Sequence, residues 1–395
     1  MTEQPYRPFV LNWRLTELHG WGLVGVHTCL HLLETGGAPL LLNPPDLITM
    51  RSRTQETLRV LEAPAVRLAA YLENVQAQGK RLYLENATVL YALGGHMQPN
   101  FADQPVFGDR NVGVGAFTET NLSPQSQADS RSYDRVVIHS SFNKQVLADH
   151  GIASDCVFQG VDATEVSPGP KMGKFGDRFV IFSGGKIEFR KGQDIVLAAF
   201  RAFHQRRPDA LLVTAWGNFW PATAITMRAS PLGLEPLHLT PDGSDVDVSR
   251  WMQANGLPDT AFLNVGFIGR ERIAPLLREC DLAVFPNRCE PGTNLVAMEA
   301  MACGVPLALS ANTGHLDLIG EDRTYVLNRQ RPVPDAEGNT RYWGESDVDE
   351  LVEVMEHAYQ NREAARTRGL TGAQWVLNNR RWDQFAAEFV DVCNH

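Results

Sequence analysis

The sequence predicts an α/β protein made of two doubly wound, Rossmann-like domains facing a cleft. Three observations lead there. Short apolar runs alternate with amphipathic helical patterns along the whole chain, the mark of parallel sheets flanked by helices. The 395 residues exceed one ordinary core, so two domains are expected. The alternation pauses over residues 163–178, which are rich in Pro, Gly, Ser and Lys and read as a linker.

Residues 9–13 read as the first strand, 23–33 as a helix ended by Gly36-Gly37, and 39–42 as the second strand. Residues 51–79 read as helix with a break at Pro64, which lacks the donor a helix interior needs. Strands follow at 81–84, 112–117 and 135–139, then a helix at 142–150 closed by Gly151. Past the linker come a strand at 179–182, a helix at 194–205 and a strand at 210–215. Residues 219–246 form a Pro-rich excursion. Strands at 262–267, 282–285 and 306–309 are separated by helices at 272–280 and 294–303. Helices over 347–359, 361–377 and 381–393 close the chain. The expected domains are residues 1–165 and 166–380. In such folds a ligand sits at the carboxyl ends of the strands.

Composition narrows the function. Lys plus Arg number 36 against 46 Asp plus Glu, a net charge of −10. Both halves, divided at residue 165, are acidic, which argues against nucleic acid as a partner. The six cysteines are irregularly spaced without C-x-x-C or a His/Cys cluster, so neither a disulfide framework nor a structural metal is indicated. The N-terminus lacks the basic and apolar regions of a signal peptide, and no stretch has 18 uninterrupted apolar residues. A cytoplasmic protein is expected, with peripheral contact at the inner membrane face left open.

Gly20-Trp21-Gly22-Leu23-Val24-Gly25 satisfies G-x-G-x-x-G between a strand and a helix, with Asp46 further on. One reading is a dinucleotide fingerprint, hence an NAD(P)-dependent oxidoreductase. Thr16-Glu17-Leu18-His19 intervene between strand and first glycine, so a tight turn or a loop lining another nucleotide site competes. In the second half, Ser183-Gly184-Gly185-Lys186-Ile187-Glu188-Phe189-Arg190-Lys191-Gly192 follows a strand and opens a helix. Lys186 and Lys191 are placed to meet an anion; the competing reading is a solvated turn. Downstream, a strand leads through Glu290 to a helix starting at Gly292-Thr293-Asn294, whose free amides suit a diphosphate. Glu299, inside that helix, is placed to accept from ribose hydroxyls. Glu290 is placed to orient the turn or a sugar hydroxyl. Two D-x-D pairs, Asp245/Asp247 and Asp347/Asp349, precede helical patterns and read as caps rather than metal ligands.

Glu290, Glu299 and the run Ala300-Met301-Ala302-Cys303-Gly304-Val305-Pro306 resemble the signature of the retaining, nucleotide-sugar-dependent glycosyltransferases of family 4, which have the GT-B fold. Eight residues separate the two glutamates here, one more than in that signature. The Lys186/Lys191 loop, Gly160-Val161-Asp162, the segment 140–151 and Asn264-Val265-Gly266-Phe267-Ile268 also resemble the family. The resemblance implies a catalytic set of Lys186, Lys191, Glu290 and Glu119. The last stands where many relatives carry a His, with His96 as its rival. It implies that Gly185, Gly292, Thr293, Asn294 and Leu295 line the donor diphosphate, Glu299 the ribose, and Phe267 and Ile268 the nucleobase. Gly20, Trp21 and Gly22 would form a loop touching donor phosphate and acceptor. It further implies transfer without cofactor or metal, UDP or GDP as the first donor candidates, and a glycan, lipid-linked, protein or small-molecule acceptor. The last helix, 381–395, would return to the first domain. A non-catalytic GT-B-like binding module is the remaining alternative.

Overall fold

A computed structural model describes residues 7–95, 97, 106–335 and 337–395. The chain folds as two compact units. The first comprises Met1–Gly160 with Arg380–His395, and the second Val161–Asn379.

The first unit holds a parallel six-stranded sheet: β1 Phe9–Leu11, β2 Leu40–Leu41, β3 Leu82–Leu93, β4 Val106–Gly115, β5 Arg135–Ile138 and β6 Asp155–Cys156. Their order is β2-β1-β3-β4-β5-β6. Its helices are α1 Gly20–Glu34, α2 Ser52–Leu58, α3 Glu62–Ala77, α4 Pro124–Ser130 and α5 Ser141–Asp149. Strand β3 is far longer than the expected 81–84. The register shifts between Leu84 and Thr88, where Asn86 takes φ of 54°, and the buried centre of the sheet begins beyond that irregularity. The break expected at Pro64 lies instead at the 3-10 turn Arg59–Leu61. Pro64 sits in the first turn of α3, where a missing N–H breaks no intrahelical bond. The C-terminal helix, Trp382–Asn394, belongs to this unit. Its Trp382 ring stacks on His27 of α1 at 4.5 Å, and Phe385 lies 5.7 Å from His139 beyond β5.

The second unit holds β7 Phe179–Gly185, β8 Ala210–Trp216, β9 Phe262–Asn264, β10 Leu282–Phe285, β11 Leu307–Ser310 and β12 Thr324–Leu327. They form a parallel sheet in the order β12-β11-β10-β7-β8-β9. Its helices are α6 Gln193–Arg206, α7 Val248–Ala254, α8 Arg270–Leu277, α9 Leu295–Ala302, α10 Val348–Gln360 and α11 Arg362–Asn379. β7 and β10 carry buried apolar side chains on both faces, as a strand covered by helices on each side must. The chain runs outward from β7 through β8 to β9, then returns to β7's other side at β10. Strand order therefore reverses between β7 and β10, the place where doubly wound sheets open a crevice at their carboxyl ends.

Residues 163–178 do not behave as a free linker. Val166 is buried, Arg278 donates to the Ser167 carbonyl, and Glu279 accepts from the amides of Met172 and Lys174. These contacts fasten the segment to the second unit, because its polar backbone finds partners on the loop before β10. Among the described residues no helix is long and apolar enough to cross a membrane.

Candidate functional site

The site is built where β7 and β10 end. β7 runs out through Gly184 and Gly185, the latter at φ of 123°, into Lys186 and the 3-10 turn Phe189–Lys191. Gly192 closes that turn at φ of 70°, and a Cβ there would lie 2.3 Å from the Pro286 carbonyl. Glycine is required, because the turn presses on the backbone leaving β10. Arg288 clamps it from beneath. Its fully buried guanidinium donates to both oxygens of Asp194, at 2.9 and 2.7 Å, to the Phe189 carbonyl at 2.8 Å and to Glu345 at 2.8 Å.

The turn delivers Lys191 onto Glu290. The ammonium lies 2.5 Å from Glu290 Oε2, which also accepts from Asn287 Nδ2 at 2.8 Å, with Arg190 Nη1 at 3.8 Å. Burial by itself would raise the Glu290 pKa, but Lys191 and Arg190 outweigh it and hold the carboxyl at about 2. Burial pulls Lys191 below its ordinary value, against the pull of Glu290. Glu188 forms ion pairs with the other two cations, Lys186 at 2.6 Å and Arg190 at 2.7 Å.

The turn from β10 into α9 is buried and internally bonded. The Glu290 amide donates to Thr313 Oγ1 at 2.8 Å, and the Gly314 amide to the Glu290 carbonyl at 2.9 Å. Asn294 stands at φ of 53° as the N-cap of α9, its Oδ1 accepting from Ala297. Its Nδ2 donates to His315 Nε2 at 2.9 Å, so the imidazole proton lies on Nδ1 and points to Ser310 Oγ at 2.8 Å. Ser310 in turn donates to the Asn287 carbonyl at 2.7 Å. Burial drops His315 to about 4, which keeps it neutral and the chain of bonds in this one direction. Thr293 Oγ1 is buried with no hydrogen-bond partner among the described residues. Between Glu290 and Glu299 the helix runs from Leu295, and Gly292, Thr293 and Asn294 form the turn that precedes it. The first amides of α9 have no intrahelical acceptor.

One turn into α9, Glu299 is buried and its Oε1 accepts from Arg270 Nη2 at 2.8 Å. Phe267 and Ile268 lie just before α8. The Phe267 ring is half exposed and stacks on Phe219 at 4.0 Å, above Gly217. The structure thus puts Lys186, Lys191, Glu290, Gly292, Thr293, Asn294 and Leu295 in adjoining turns at the β7–β10 switch. Glu299, Phe267 and Ile268 occupy neighbouring elements of the same unit.

The remaining candidates lie in the first unit. Gly20, Trp21 and Gly22 do not form the expected loop, because α1 begins at Gly20. His19 caps that helix, its Nδ1 accepting from the Gly22 amide at 3.1 Å, and a Cβ on Gly22 would sit 2.1 Å from the Thr16 carbonyl. Six glycine-motif positions wound into a helix, one amide already capped, do not make the strand-closing turn of a dinucleotide fingerprint, and Asp46 faces Arg14. Glu119, half buried beyond β4, accepts from the Thr118 amide at 3.1 Å and rests against Gly95. His96 lies outside the described residues. Asp247 and Asp347 cap α7 and α10 by accepting from Arg250 and Glu350 amides, as the D-x-D reading expected.

The sequence reading overlooked Arg190, Arg270, Arg288 and His315. Arg190 was visible as a third cation beside Lys191. Nothing local announces the other three, whose partners lie far along the chain.

Residues 170–369 match the family model described as Glycosyl transferases group 1. An uncharacterized glycosyltransferase of Bacillus subtilis is 26% identical over 196 residues, 50% of this chain and 47% of that protein. A GDP-mannose-dependent α-(1-6)-phosphatidylinositol monomannoside mannosyltransferase of Mycolicibacterium smegmatis is 23% identical over 273 residues, 66% of this chain and 59% of that one. The matches thus span roughly half of those relatives' length. The HepE protein of Anabaena, solved with UDP and glucose, superimposes with a TM-score of 0.62 at 13% identity, covering 98% of this chain and 99% of that one. At that identity the likeness concerns the fold.

Proposed function

The chain belongs to the group 1 glycosyl transferases, and from that membership we propose that it is a retaining, family 4 enzyme. It moves a sugar from a nucleotide-diphosphate donor to an acceptor hydroxyl and needs no divalent metal. The observation that carries this reading is the meeting, at the strand-order switch of the second unit, of Lys186, Arg190 and Lys191 with the open end of α9.

Loss of a nucleoside diphosphate from a sugar leaves growing negative charge on the leaving phosphate and positive charge at the anomeric carbon. Lys186 and Lys191, with the amides at Thr293, Asn294 and Leu295, match the first of these. Gly185 and Gly292 let backbone approach that phosphate closely. Glu290 holds Lys191 at a fixed point, so the cation needs no reorganisation as charge develops. In retaining transfer the acceptor hydroxyl attacks on the leaving-group face and its proton passes to the departing phosphate, so neither glutamate is assigned as a nucleophile. Glu299 accepts from the ribose, and Phe267 with Ile268 carries the base. Glu119 is proposed as the contact to the donor sugar. The GDP-mannose donor of the mannosyltransferase relative and the UDP bound by the Anabaena protein support trying GDP- and UDP-sugars first. The mannosyltransferase relative, named for a phosphatidylinositol monomannoside, supports a lipid-linked acceptor among the glycan, protein and small-molecule alternatives.

A donor panel tests the proposal. Release of UDP or GDP from a sugar nucleotide, undiminished in EDTA and with the anomeric configuration kept in the product, is expected. Calorimetric binding of NADH without hydrolysis of any donor would overturn it.

A further inference from the structure

Three buried groups of the second unit form one ion-paired chain: Glu165, Arg270 and Glu299. Arg270 opens α8, and its guanidinium lies between two carboxylates, with Nη2 2.8 Å from Glu299 Oε1 and Nε 3.0 Å from Glu165 Oε2. Their side chains are 12%, 9% and 8% exposed for Arg270, Glu299 and Glu165 respectively. The planar guanidinium meets a separate carboxylate with each of two nitrogens, Nε and Nη2, which fixes the orientation of both, as a single ammonium could not. Burial disfavours the Arg270 charge, but the two carboxylates more than offset this and raise its pKa. No other donor among the described residues reaches the Glu299 carboxylate.

We propose that Arg270 is a positioning residue, which holds Glu299 through one oxygen so that the carboxylate accepts from the vicinal hydroxyls of a ribose. The chain thereby selects ribonucleotide donors over deoxyribonucleotide ones. This rests on the reading of the second unit as a nucleotide-sugar site. Glu165 belongs to the segment that enters the unit, Arg270 to α8 and Glu299 to α9, so three separate elements must be in place before the acceptor is aimed. Phe267 and Ile268 stand one residue ahead of Arg270, with Gly266 at φ of 57° and Gly269, between them and Arg270, as the N-cap of α8. The platform proposed for the base and the counter-ion of the ribose acceptor therefore share one short connection. A displacement of that connection moves both together.

The test is calorimetry on the full chain with UDP, GDP and their 2′,3′-dideoxy forms, using the parent and the Arg270→Gln, Arg270→Lys and Glu165→Gln variants. The parent is expected to favour the ribonucleotide by at least about 150-fold, the order of two hydrogen bonds to a charged acceptor. R270Q is expected to lose that preference while keeping its affinity for the dideoxy forms within about twofold. R270K recovers part of it. E165Q, which keeps both Arg270 and Glu299, loses a smaller part and serves should R270Q fail to fold. Equal weakening of ribo and dideoxy forms in R270Q and E165Q would make Arg270 a structural ion pair and overturn the proposal. So would an undiminished preference in R270Q. A parent that binds dideoxy and ribo forms alike refutes the positioning role, whereas a parent that binds neither nucleotide refutes the donor site on which it rests.

Discussion

Replacing Lys191 by alanine should produce two losses that can be separated. The first is stability. Lys191→Ala leaves the Glu290 carboxylate buried after its contact at 2.5 Å is gone, and breaking a buried pair from one side costs about 3–5 kcal/mol. Arg190 at 3.8 Å and the Asn287 amide remain, so the lower end, about 3 kcal/mol, is expected. For a unit of this size that corresponds to a fall in Tm of roughly 6–12 °C. The second loss is catalytic. A cation matched to the leaving diphosphate contributes about 2–4 kcal/mol to the transition state, a fall in turnover of roughly 30- to 1000-fold. The double variant Lys191→Ala, Glu290→Gln removes the stranded charge and should regain most of the Tm while turnover stays low. Calorimetric scans and steady-state donor turnover, below the transition of each variant, read the two effects. K191A turning over within threefold of the parent, or a double variant that recovers turnover with its Tm, would refute the assignment and leave Lys191 as a counter-ion for Glu290.

Acid should weaken each unit through one buried imidazole. His139 in the first unit and His315 in the second are each lowered by burial from 6.5 to about 4, so between those values the unfolded chain binds more protons and stability falls as pH falls. Each contributes up to about 3 kcal/mol across that window; a urea midpoint unchanged between pH 6.5 and 4 contradicts this. Below it Glu290 acts in the same direction: its depressed carboxyl stabilises above its ordinary value of 4.5 and loses that contribution as pH falls towards about 2. At Gly314 an added Cβ would lie 1.8 Å from the Gly292 carbonyl and 2.7 Å from that of Glu290. Gly314→Ala should displace the α9 entry turn and weaken UDP or GDP binding by at least about tenfold, at an overpacking cost of about 1–3 kcal/mol. Unchanged affinity by calorimetry would show that the turn does not shape the site.

The parts of this fold that repeat a local pattern could be read from the sequence. Strand β10 lies where its apolar run put it, at Leu282–Phe285, and the final helices fall within a residue or two of expectation. Strands β6 and β12 escaped because two to four residues at a sheet edge carry no periodicity. α1 was read three residues short, since His19 is an uncommon cap and two glycines look like a loop. Lys191 and Glu290 were each singled out from sequence, but their contact across 99 positions was not visible. Arg270 with Glu165, and Arg288 with Asp194, are likewise matches made by the fold, 105 and 94 positions apart. His315 gave no signal, because its role depends on being enclosed by Ser310 and Asn294.

The pairing of Lys186 with Glu188, and of Lys191 with Glu290, bears on how an anion is caught. Paired ions project little field beyond the Debye length of about 8 Å at physiological ionic strength. A diphosphate approaching this turn is therefore not drawn from afar. At contact it shares Lys186 with Glu188 or Lys191 with Glu290, a second anion joining the first on each ammonium. Occupancy then depends on whether the newcomer also fits the amides of the adjoining helix, and dissolved salt, which has no such fit, competes poorly for the same cations.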